Sequence, residues 1–266
     1  MTEPILSRLR AKAGGDATLY AYGVLLYLFL YAPIVYLIIF SFNDATATTP
    51  PWRGFTLQWY RQVLQNVDLR VAFLNSASLG VMTAVISVTL GTLMAFAFRW
   101  RFRGKGFVFG LLLLPMLTPG IVLGVALTLL WRFFRLTPGL FSSTLVAHVI
   151  YTLPFAFLIV FTRLHRFDRS LEEAAMDLGA DHIRTFRHVT FPLIRPGVIA
   201  AVIFAFTLSF DEFIRTFFVI GNENTLPMYV WSMIMTDSTP QTNAIGAIIV
   251  GLSLSWILLG TVFLRR

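Results

Sequence analysis

Long apolar runs separated by short polar segments dominate the chain. About six of these runs reach 20 residues or more, and a helix of that length, rising 1.5 Å per residue, crosses a hydrocarbon core of ~30 Å. We place them, to within a few residues, at 19–42, 74–98, 108–134, 140–162, 197–218 and 244–264. The pattern predicts an all-α membrane protein with six transmembrane helices, in which residues 1–266 form a single transmembrane domain. An even number of spans puts both termini on the same side of the membrane.

Three ionisable residues interrupt the fifth apolar run, at Asp211, Glu212 and Arg215. Counted from Gly197, Asp211 lies about 21 Å along the helix, beyond the middle of the membrane. Ionisable side chains at such a depth are costly and commonly functional, which makes these residues candidates for a substrate pathway. A structural alternative is a pair between Asp211 and Arg215, because side chains four residues apart share one face of a helix.

Prolines and small residues predict departures from straight, evenly spaced helices. Pro115 and Pro119 in the third run and Pro154 in the fourth lack a backbone donor and should bend or interrupt those helices. Transporters often place broken helices beside their substrate route, although close packing alone also tolerates them. Small-x-x-x-small spacings, which favour close helix contacts in lipid, occur at Gly80 and Ala84, at Ser87, Gly91 and Ala95, at Gly106 and Gly110, and at Gly120 and Gly124.

A polar loop between the fourth and fifth runs is coded for two short helices. Ser170 and Glu173 have the spacing of a capping box, which predicts a helix from Leu171, and Gly179 is placed to end it. Its apolar stripe consists of Leu171, Ala174, Ala175 and Leu178. Asp181 can cap a second helix that Pro192 and Pro196 stop. A loop with this much helical coding, set between membrane spans, is expected to contact a partner.

The spacing of this loop resembles the EAA loop of bacterial ABC-importer permeases, whose pattern is Glu-Ala-Ala, three residues, Gly, nine residues, then Ile-x-Leu-Pro. Here Glu173-Ala174-Ala175, Gly179 and Val189-x-Phe191-Pro192 match it, with Val and Phe as the departures. The resemblance implies a type I ABC-importer permease architecture, with 163–196 as a cytoplasmic coupling loop. It implies that a separate ATPase contacts Glu173, Ala174, Ala175, Leu178, Gly179, Ala180 and Asp181.

The distribution of Lys and Arg predicts the orientation, because the cytoplasmic side of a membrane protein keeps the positive excess. The termini, the segment after the second run and the 163–196 loop hold most of these residues. We therefore expect both termini and the loop in the cytoplasm, and the resemblance implies that the membrane is a bacterial inner membrane. The sequence pI of about 10.3 then reports topology and not nucleic-acid binding, which would need a soluble basic domain. Without cysteine, disulfides and thiolate metal sites are excluded.

Two further motifs resemble these permeases. The FTLQWY element at 55–60 looks like one that commonly follows their first helix, and the FTLSFDE string at 206–212 resembles the spermidine/putrescine branch, specifically its C-type subunit. The resemblance implies an amine-bearing substrate, with Asp211, Glu212, Arg215 and Trp231 along its pathway. Arg215 departs from the branch, however, and a cation beside the acids also admits a zwitterion such as an opine or an amino-acid-like solute.

Three classes of function follow for comparison. The resemblance implies a permease subunit that works by alternating access with a homologous permease, two ATPase subunits, a soluble substrate-binding protein and membrane lipid. ATP and Mg would bind the ATPase, because this chain has no Walker motif and is not itself an enzyme. A secondary transporter would need matched ion-coupling residues in two inverted halves, and none is evident. An intramembrane enzyme would need a cluster of polar residues inside the membrane. His148 is the only histidine in the apolar runs, and we expect it to be a buried hydrogen-bonding residue. No metal site is predicted.

Overall fold

The computed structural model describes residues 3–45, 48, 50–236 and 239–264, which are mostly helical. The α-helices of the described residues, in chain order, are α1 (Glu3–Phe40), α2 (Gln58–Gln65), α3 (Val67–Ala97), α4 (Lys105–Leu117), α5 (Gly120–Phe133), α6 (Leu145–His165), α7 (Ser170–Asp177), α8 (His182–Thr185), α9 (Phe191–Phe210), α10 (Ile214–Val219), α11 (Leu226–Thr236) and α12 (Pro240–Leu264). Single π-helical turns precede α6, at Leu140–Thr144, and α9, at Phe186–Thr190.

Four of the described helical segments are long and apolar enough to cross a membrane. They are Leu19–Phe40, Val67–Ala97, Leu140–His165 and His182–Phe210. A fifth span results if α4 and α5 are counted as one, although these helices bend by 104° at their junction. The membrane class and its apolar helices are thus as predicted from the hydrophobic pattern.

The third and fifth predicted spans are not continuous helices. The third run breaks at Thr118 and Pro119, where Pro119 becomes the residue before α5, while Pro115 stays inside α4. Proline therefore interrupts this span, as expected from its missing donor. The fifth run was predicted to continue to residue 218, and this was wrong: α9 ends at Phe210, and Asp211 is the residue after its last turn.

Described by itself, the unit formed by residues 67–231 is built on α3, α6 and α9. Its core contains fully buried apolar side chains such as Phe157, Val160 and Ile194, together with alanines that bring the helices close. Phe98, Phe109 and Phe161 surround Phe157, with their ring centroids 5.1–5.9 Å from that of Phe157. The aromatic cluster and the small residues together fix how these helices pack.

Small residues mark the closest helix contacts of this unit. A Cβ atom on Gly91 would lie 2.8 Å from the backbone nitrogen of Phe157, so α3 and α6 touch backbone to backbone there. A turn away, the hydroxyls of Ser87 and Thr152 share a 2.7 Å hydrogen bond. The predicted contact at Gly91 is confirmed, whereas a Cβ atom on Gly106 or Gly110 would meet no described atom within 4 Å.

The second unit, described by itself, comprises residues 1–66 and 232–266 where the structure describes them. Here α12 packs on α1 and α2, and Gly246 sits against Leu37. The FTLQWY element folds back onto the end of α1, because the Trp59 indole donates to the Asn43 carbonyl at 2.9 Å. Tyr60 likewise shares a 2.6 Å hydrogen bond with Ser41. The element's aromatic residues therefore serve a local structural purpose.

Replacing Gly91 by Ala should weaken the α3–α6 contact, because the added methyl group overlaps the Phe157 backbone, which cannot rotate away as a side chain could. Overpacking of this kind costs about 1–3 kcal/mol. We expect a lower thermal midpoint of the purified protein in detergent. Gly110→Ala is the matched control, since nothing lies within 4 Å of its added carbon. Equal midpoints for the two variants would contradict the close contact.

Candidate functional site

The first helix of the polar loop, α7, ends in a Schellman motif. Gly179 has φ of +88°, a left-handed conformation that glycine adopts without strain. Its N–H donates to the Met176 carbonyl at 2.9 Å, and the Ala180 N–H donates to the Ala175 carbonyl at 3.1 Å. These two bonds satisfy carbonyls that the last turn leaves open. The expected role of Gly179 in ending the helix is confirmed.

The second helix, α8, begins as predicted at its Asp181 cap. The prediction that Pro192 and Pro196 stop this helix was wrong, because the helical path continues through the π-helical turn into α9, which contains both prolines. The Asp181 carboxylate accepts a 2.7 Å hydrogen bond from the backbone N–H of Arg184. The start of α7 was predicted wrongly, since Ser170 and Glu173 form no capping box. Instead the Asp168 carboxylate accepts from the Ser170 N–H at 3.0 Å. This hydrogen bond lowers the pKa of Asp168, and an ionised carboxylate is a stronger acceptor than a serine hydroxyl.

The apolar side of α7 points away from the rest of the chain. Leu178 is 90% exposed, and Leu171 and Ala174 are exposed as well, while Ile183 of α8 is 77% exposed. Of the predicted stripe, only Ala175 is partly covered. We call Leu171, Ala174, Leu178 and Ile183 the outer apolar face of the loop. An apolar face of this kind is suited to a protein partner.

The inner side of α7 carries a carboxylate that the sequence did not single out. Glu172 forms a bidentate pair with Arg99, with nitrogen–oxygen distances of 2.6 and 3.0 Å, and accepts a 2.6 Å hydrogen bond from Thr190. Hydrogen bonding to Arg99, aided by Thr190 and opposed by burial, lowers the pKa of Glu172 from its ordinary value of 4.5. The carboxylate is therefore ionised at neutral pH.

A second polar site forms where α9 stops. The Glu212 carboxylate accepts a 2.9 Å hydrogen bond from the backbone N–H of Arg215, at the start of α10. The Thr216 hydroxyl returns a bond to the Glu212 carbonyl at 2.7 Å, while the Asp211 N–H still donates to Thr207 of α9. Glu212 thus caps the next helix. These three backbone groups near the break therefore have partners although the regular helix has ended.

Arg215 is paired with Glu212 and not with Asp211. Its guanidinium lies 2.7 Å from the Glu212 carboxylate, and both side chains are less than 10% exposed. The guanidinium also stacks on the ring of Tyr151 from α6, 3.6 Å from the ring centroid. The alternative of an Asp211–Arg215 pair assumed an unbroken helix, and it is wrong because the break moves the two residues out of helical register.

His148 of α6 connects the two sides of the break. One ring nitrogen is 2.7 Å from the Ser209 hydroxyl in α9, and the other is 2.8 Å from the Thr216 hydroxyl in α10. The residue is fully buried, which confirms the expected buried hydrogen-bonding role. Neither Tyr151 nor the His148 bridge could be assigned to this site from sequence, since both belong to another helix.

Asp211 and Trp231 occupy more open positions. Asp211 is exposed, and its carboxylate forms no hydrogen bond or ion pair with any residue that the structure describes. Trp231 is 42% exposed, and its ring packs 5.2 Å from that of Phe213, which lies between the acids and α10. Two of the four predicted pathway residues are therefore exposed, and the other two form a buried pair.

The broken third span packs beside this site. Gly120, at the start of α5, lies against Arg215, and a Cβ atom there would be 3.3 Å from the guanidinium carbon. One turn later Gly124 lies against Phe218, and the Thr128 hydroxyl donates to the Phe218 carbonyl at 2.7 Å. The predicted close contact of Gly120 and Gly124 is confirmed. Two interrupted helices thus meet at one buried polar cluster.

Interrupted apolar helices around a buried ion pair, and a two-helix loop with an apolar outer face, define a helical subunit of a membrane transporter. A comparison with protein families agrees with this class. The family model described as "Binding-protein-dependent transport system inner membrane component" matches residues 87–266, and the chain belongs to this family.

Relatives match nearly the full length of the chain. The spermidine/putrescine transport system permease protein PotC of Haemophilus influenzae is 35% identical over 248 residues, which cover 92% of this chain and 96% of that protein. PotC of Escherichia coli K12 is 36% identical, and the match covers 90% of this chain and 91% of that protein. The putrescine transport system permease protein PotI of the same strain is 35% identical, with 84% and 82% covered.

Solved structures share the fold at low sequence identity. A bacterial alginate ABC transporter in complex with an alginate pentasaccharide-bound periplasmic protein contains a chain with a TM-score of 0.73 and 13% identity, covering 99% of this chain and 98% of that one. A chain of an amino acid ABC transporter has a TM-score of 0.63 and 18% sequence identity, and the match covers 80% of this chain and 100% of that one. The fold is therefore that of an ABC transporter membrane subunit.

Neutralising one partner of the buried pair should reduce folded protein more than neutralising both. Glu212→Gln or Arg215→Met alone leaves an uncompensated charge, and loss of one partner of a buried pair costs about 3–5 kcal/mol. The double variant removes both charges and should recover much of the membrane yield. Asp211→Asn is the control and should insert normally. A double variant that is worse than both single variants would contradict this account.

Proposed function

We propose that this chain is a membrane subunit of an ATP-driven importer that carries a polyamine or a related amine into the cytoplasm. The observation that carries the substrate class is the Asp211 carboxylate, which is exposed and without a partner among the described residues. It stands at the carboxyl end of α9, where the helix dipole adds partial negative charge. An ammonium group is the ligand that this combination favours. The identity with PotC over most of the chain supports the same class.

The buried pair removes the objection that Arg215 raises against a cationic substrate. Glu212 neutralises the Arg215 guanidinium, and the Tyr151 ring covers one face of it. The guanidinium therefore does not repel a cationic ligand bound at Asp211. The three ionisable groups then sum to one negative charge, located at Asp211. A zwitterion such as an opine would need an accessible cation for its carboxylate. The burial of Arg215 therefore favours the amine, with Trp231 as an aromatic surface that suits it.

The polar loop is proposed as the contact with the ATPase. Its outer apolar face is exposed, and docking would bury it. Gly179 and Asp181 hold the turn between the two helices, and Glu173 is exposed beside the face. These geometries support the coupling role proposed for Glu173, Ala174, Ala175, Leu178, Gly179, Ala180 and Asp181.

The complete assembly would contain further subunits. We infer a homologous permease that completes the substrate route, two ATPase subunits that bind ATP and Mg, and a soluble substrate-binding protein outside the membrane. In this arrangement α4 with α5 forms one span and α12 the sixth, so that residues 1–266 make one permease domain with both termini and the 163–196 loop in the cytoplasm. Closure of the ATPases on ATP would then drive alternating access by moving the loop.

Asp211→Asn should weaken the uptake of amines while leaving protein yield unchanged. Loss of one charge-assisted contact corresponds to about 1.5–3 kcal/mol, hence roughly a ten- to hundredfold higher half-saturation concentration for spermidine. The assay is uptake into proteoliposomes that contain the assembled transporter and an ATP-regenerating system. Asp68→Asn, an exposed carboxylate in the first turn of α3, is the matched control. An unchanged half-saturation in the Asp211 variant would exclude this residue from the route.

Gly179→Val should impair transport by straining the turn between α7 and α8. The left-handed backbone costs an L-residue about 1–2 kcal/mol, and no neighbouring atom lies within 4 Å to add a clash. Uptake should fall about tenfold at equal expression. Gly179→Asn is the control, because asparagine tolerates this conformation and should retain most activity. If both variants transport as wild type does, the turn is not needed for coupling.

A further inference from the structure

One inward contact connects the loop helix α7 to the end of span α3. Arg99 lies two residues beyond the end of α3, and its guanidinium holds Glu172 through two parallel hydrogen bonds of 3.0 and 2.6 Å. The paired side chains are only 14% and 15% exposed. The two residues are 73 positions apart in sequence, so local helix structure does not bring them together. Bidentate pairing fixes orientation as well as distance.

The same carboxylate also reaches the segment that enters α9. Thr190, 2% exposed and directly before α9, donates its hydroxyl hydrogen to Glu172 at 2.6 Å. In return, the Arg169 side chain at the start of α7 donates to the Arg99 carbonyl at 3.1 Å. Glu172 therefore accepts three hydrogen bonds, two from the segment that follows α3 and one from the segment that precedes α9. We call Arg99, Glu172, Thr190 and Arg169 the loop latch.

We propose that the loop latch transmits displacement of the loop to α3 and α9, with Arg99 and Glu172 as its principal positioning residues. This inference rests on the proposed function, in which an ATPase docks on the outer apolar face. The partner would push on one side of α7, while the latch holds the opposite side. Since α3 and α9 pack against each other and α6, movement of their cytoplasmic ends moves the core of the membrane unit.

The latch has the properties that a mechanical connection needs. Moving α7 alone would break all three hydrogen bonds to Glu172 at once, in a site that is largely shielded from water. Moving α7 together with the two spans keeps every bond. The ring of Phe186, directly after α8, packs 5.8 Å from Phe96 near the end of α3, which adds an apolar contact to the same connection.

Neighbouring acids on α7 do not share these contacts. Glu173 and Asp177 are exposed, and neither has an ion pair in the part of the chain that the structure describes. Glu172 is thus the acid of this helix that faces the spans. Asp177 offers a matched control, because it is an exposed carboxylate on the same helix that forms no ion pair with the described residues of α3 or α9.

The test measures transport and ATP hydrolysis together in the complete transporter, reconstituted with its ATPases and binding protein and supplied with spermidine. Glu172→Gln and Arg99→Gln should assemble and hydrolyse ATP at rates near wild type. The number of substrate molecules moved per ATP should fall about tenfold. Thr190→Val, which removes one of the three hydrogen bonds, should cause a smaller loss, and Asp177→Asn should cause none.

A charge exchange separates transmission from simple folding. Arg99→Glu with Glu172→Arg restores opposite charges at the same two positions, and we expect it to regain at least half of the transport per ATP lost in either single variant. An unchanged transport per ATP in both Gln variants, at equal assembly, would overturn the proposal. Equal loss in the single and exchanged variants with normal hydrolysis would also overturn it.

Failure of the proposed function would look different. Leu178→Glu, on the outer apolar face, should prevent copurification of the ATPase if docking occurs there. If that variant still copurifies the ATPase and transports normally, the docking proposal is wrong whatever the latch variants show. If it loses the ATPase while the Glu172 and Arg99 variants keep normal transport per ATP, docking is supported and the latch is rejected.

Discussion

Inside a bilayer, a backbone group without a hydrogen-bond partner costs on the order of several kcal/mol, and the interrupted helices of this chain depend on avoiding that cost. At the end of α9 the Glu212 carboxylate supplies one such partner, because it accepts from the backbone N–H of Arg215 and so caps α10. His148 of α6 bridges the side-chain hydroxyls of Ser209 and Thr216 and so connects the two sides of the break. Because this particular cap is a buried carboxylate, it needs a neighbouring cation, and Arg215 supplies it. The ion pair is thus a consequence of capping α10 with a buried charged side chain.

That consequence shapes the electrostatics of the proposed route. The buried Arg215 guanidinium and the Glu212 carboxylate neutralise each other, so the remaining charge of the three groups resides on Asp211. The packing of Gly120 against the guanidinium adds a steric limit, because a larger residue there would displace the pair. In the sequence, two acids beside an arginine suggest conflicting substrates. The structure resolves this conflict, because Arg215 pairs with Glu212 in the interior and Asp211 remains exposed.

Sequence patterns predicted what is decided locally. Gly179 and Asp181 act within a few residues of themselves, and Pro119 interrupts its helix for lack of a donor, so these assignments were confirmed. The partner of Arg215 was missed because spacing four residues apart has meaning only on a continuous helix. Arg99 and Glu172 carry no local signal, since their pairing is set by how α3 and the loop pack. Ser170 lost the cap to Asp168, whose carboxylate is the better acceptor.

The outer apolar face of the loop also bears on the life of the subunit before assembly. Fully burying a leucine side chain stabilises a structure by about 1.5–3 kcal/mol. Because Leu178 is almost fully exposed, it gains nearly all of this stabilisation only when a partner covers it. In the proposed orientation, a subunit that is inserted into the membrane without its ATPase exposes the outer apolar face to the cytosol. Unassembled subunits then differ from assembled ones in their exposed apolar surface. Chaperones or proteases that bind exposed apolar side chains can therefore recognise subunits that lack an ATPase.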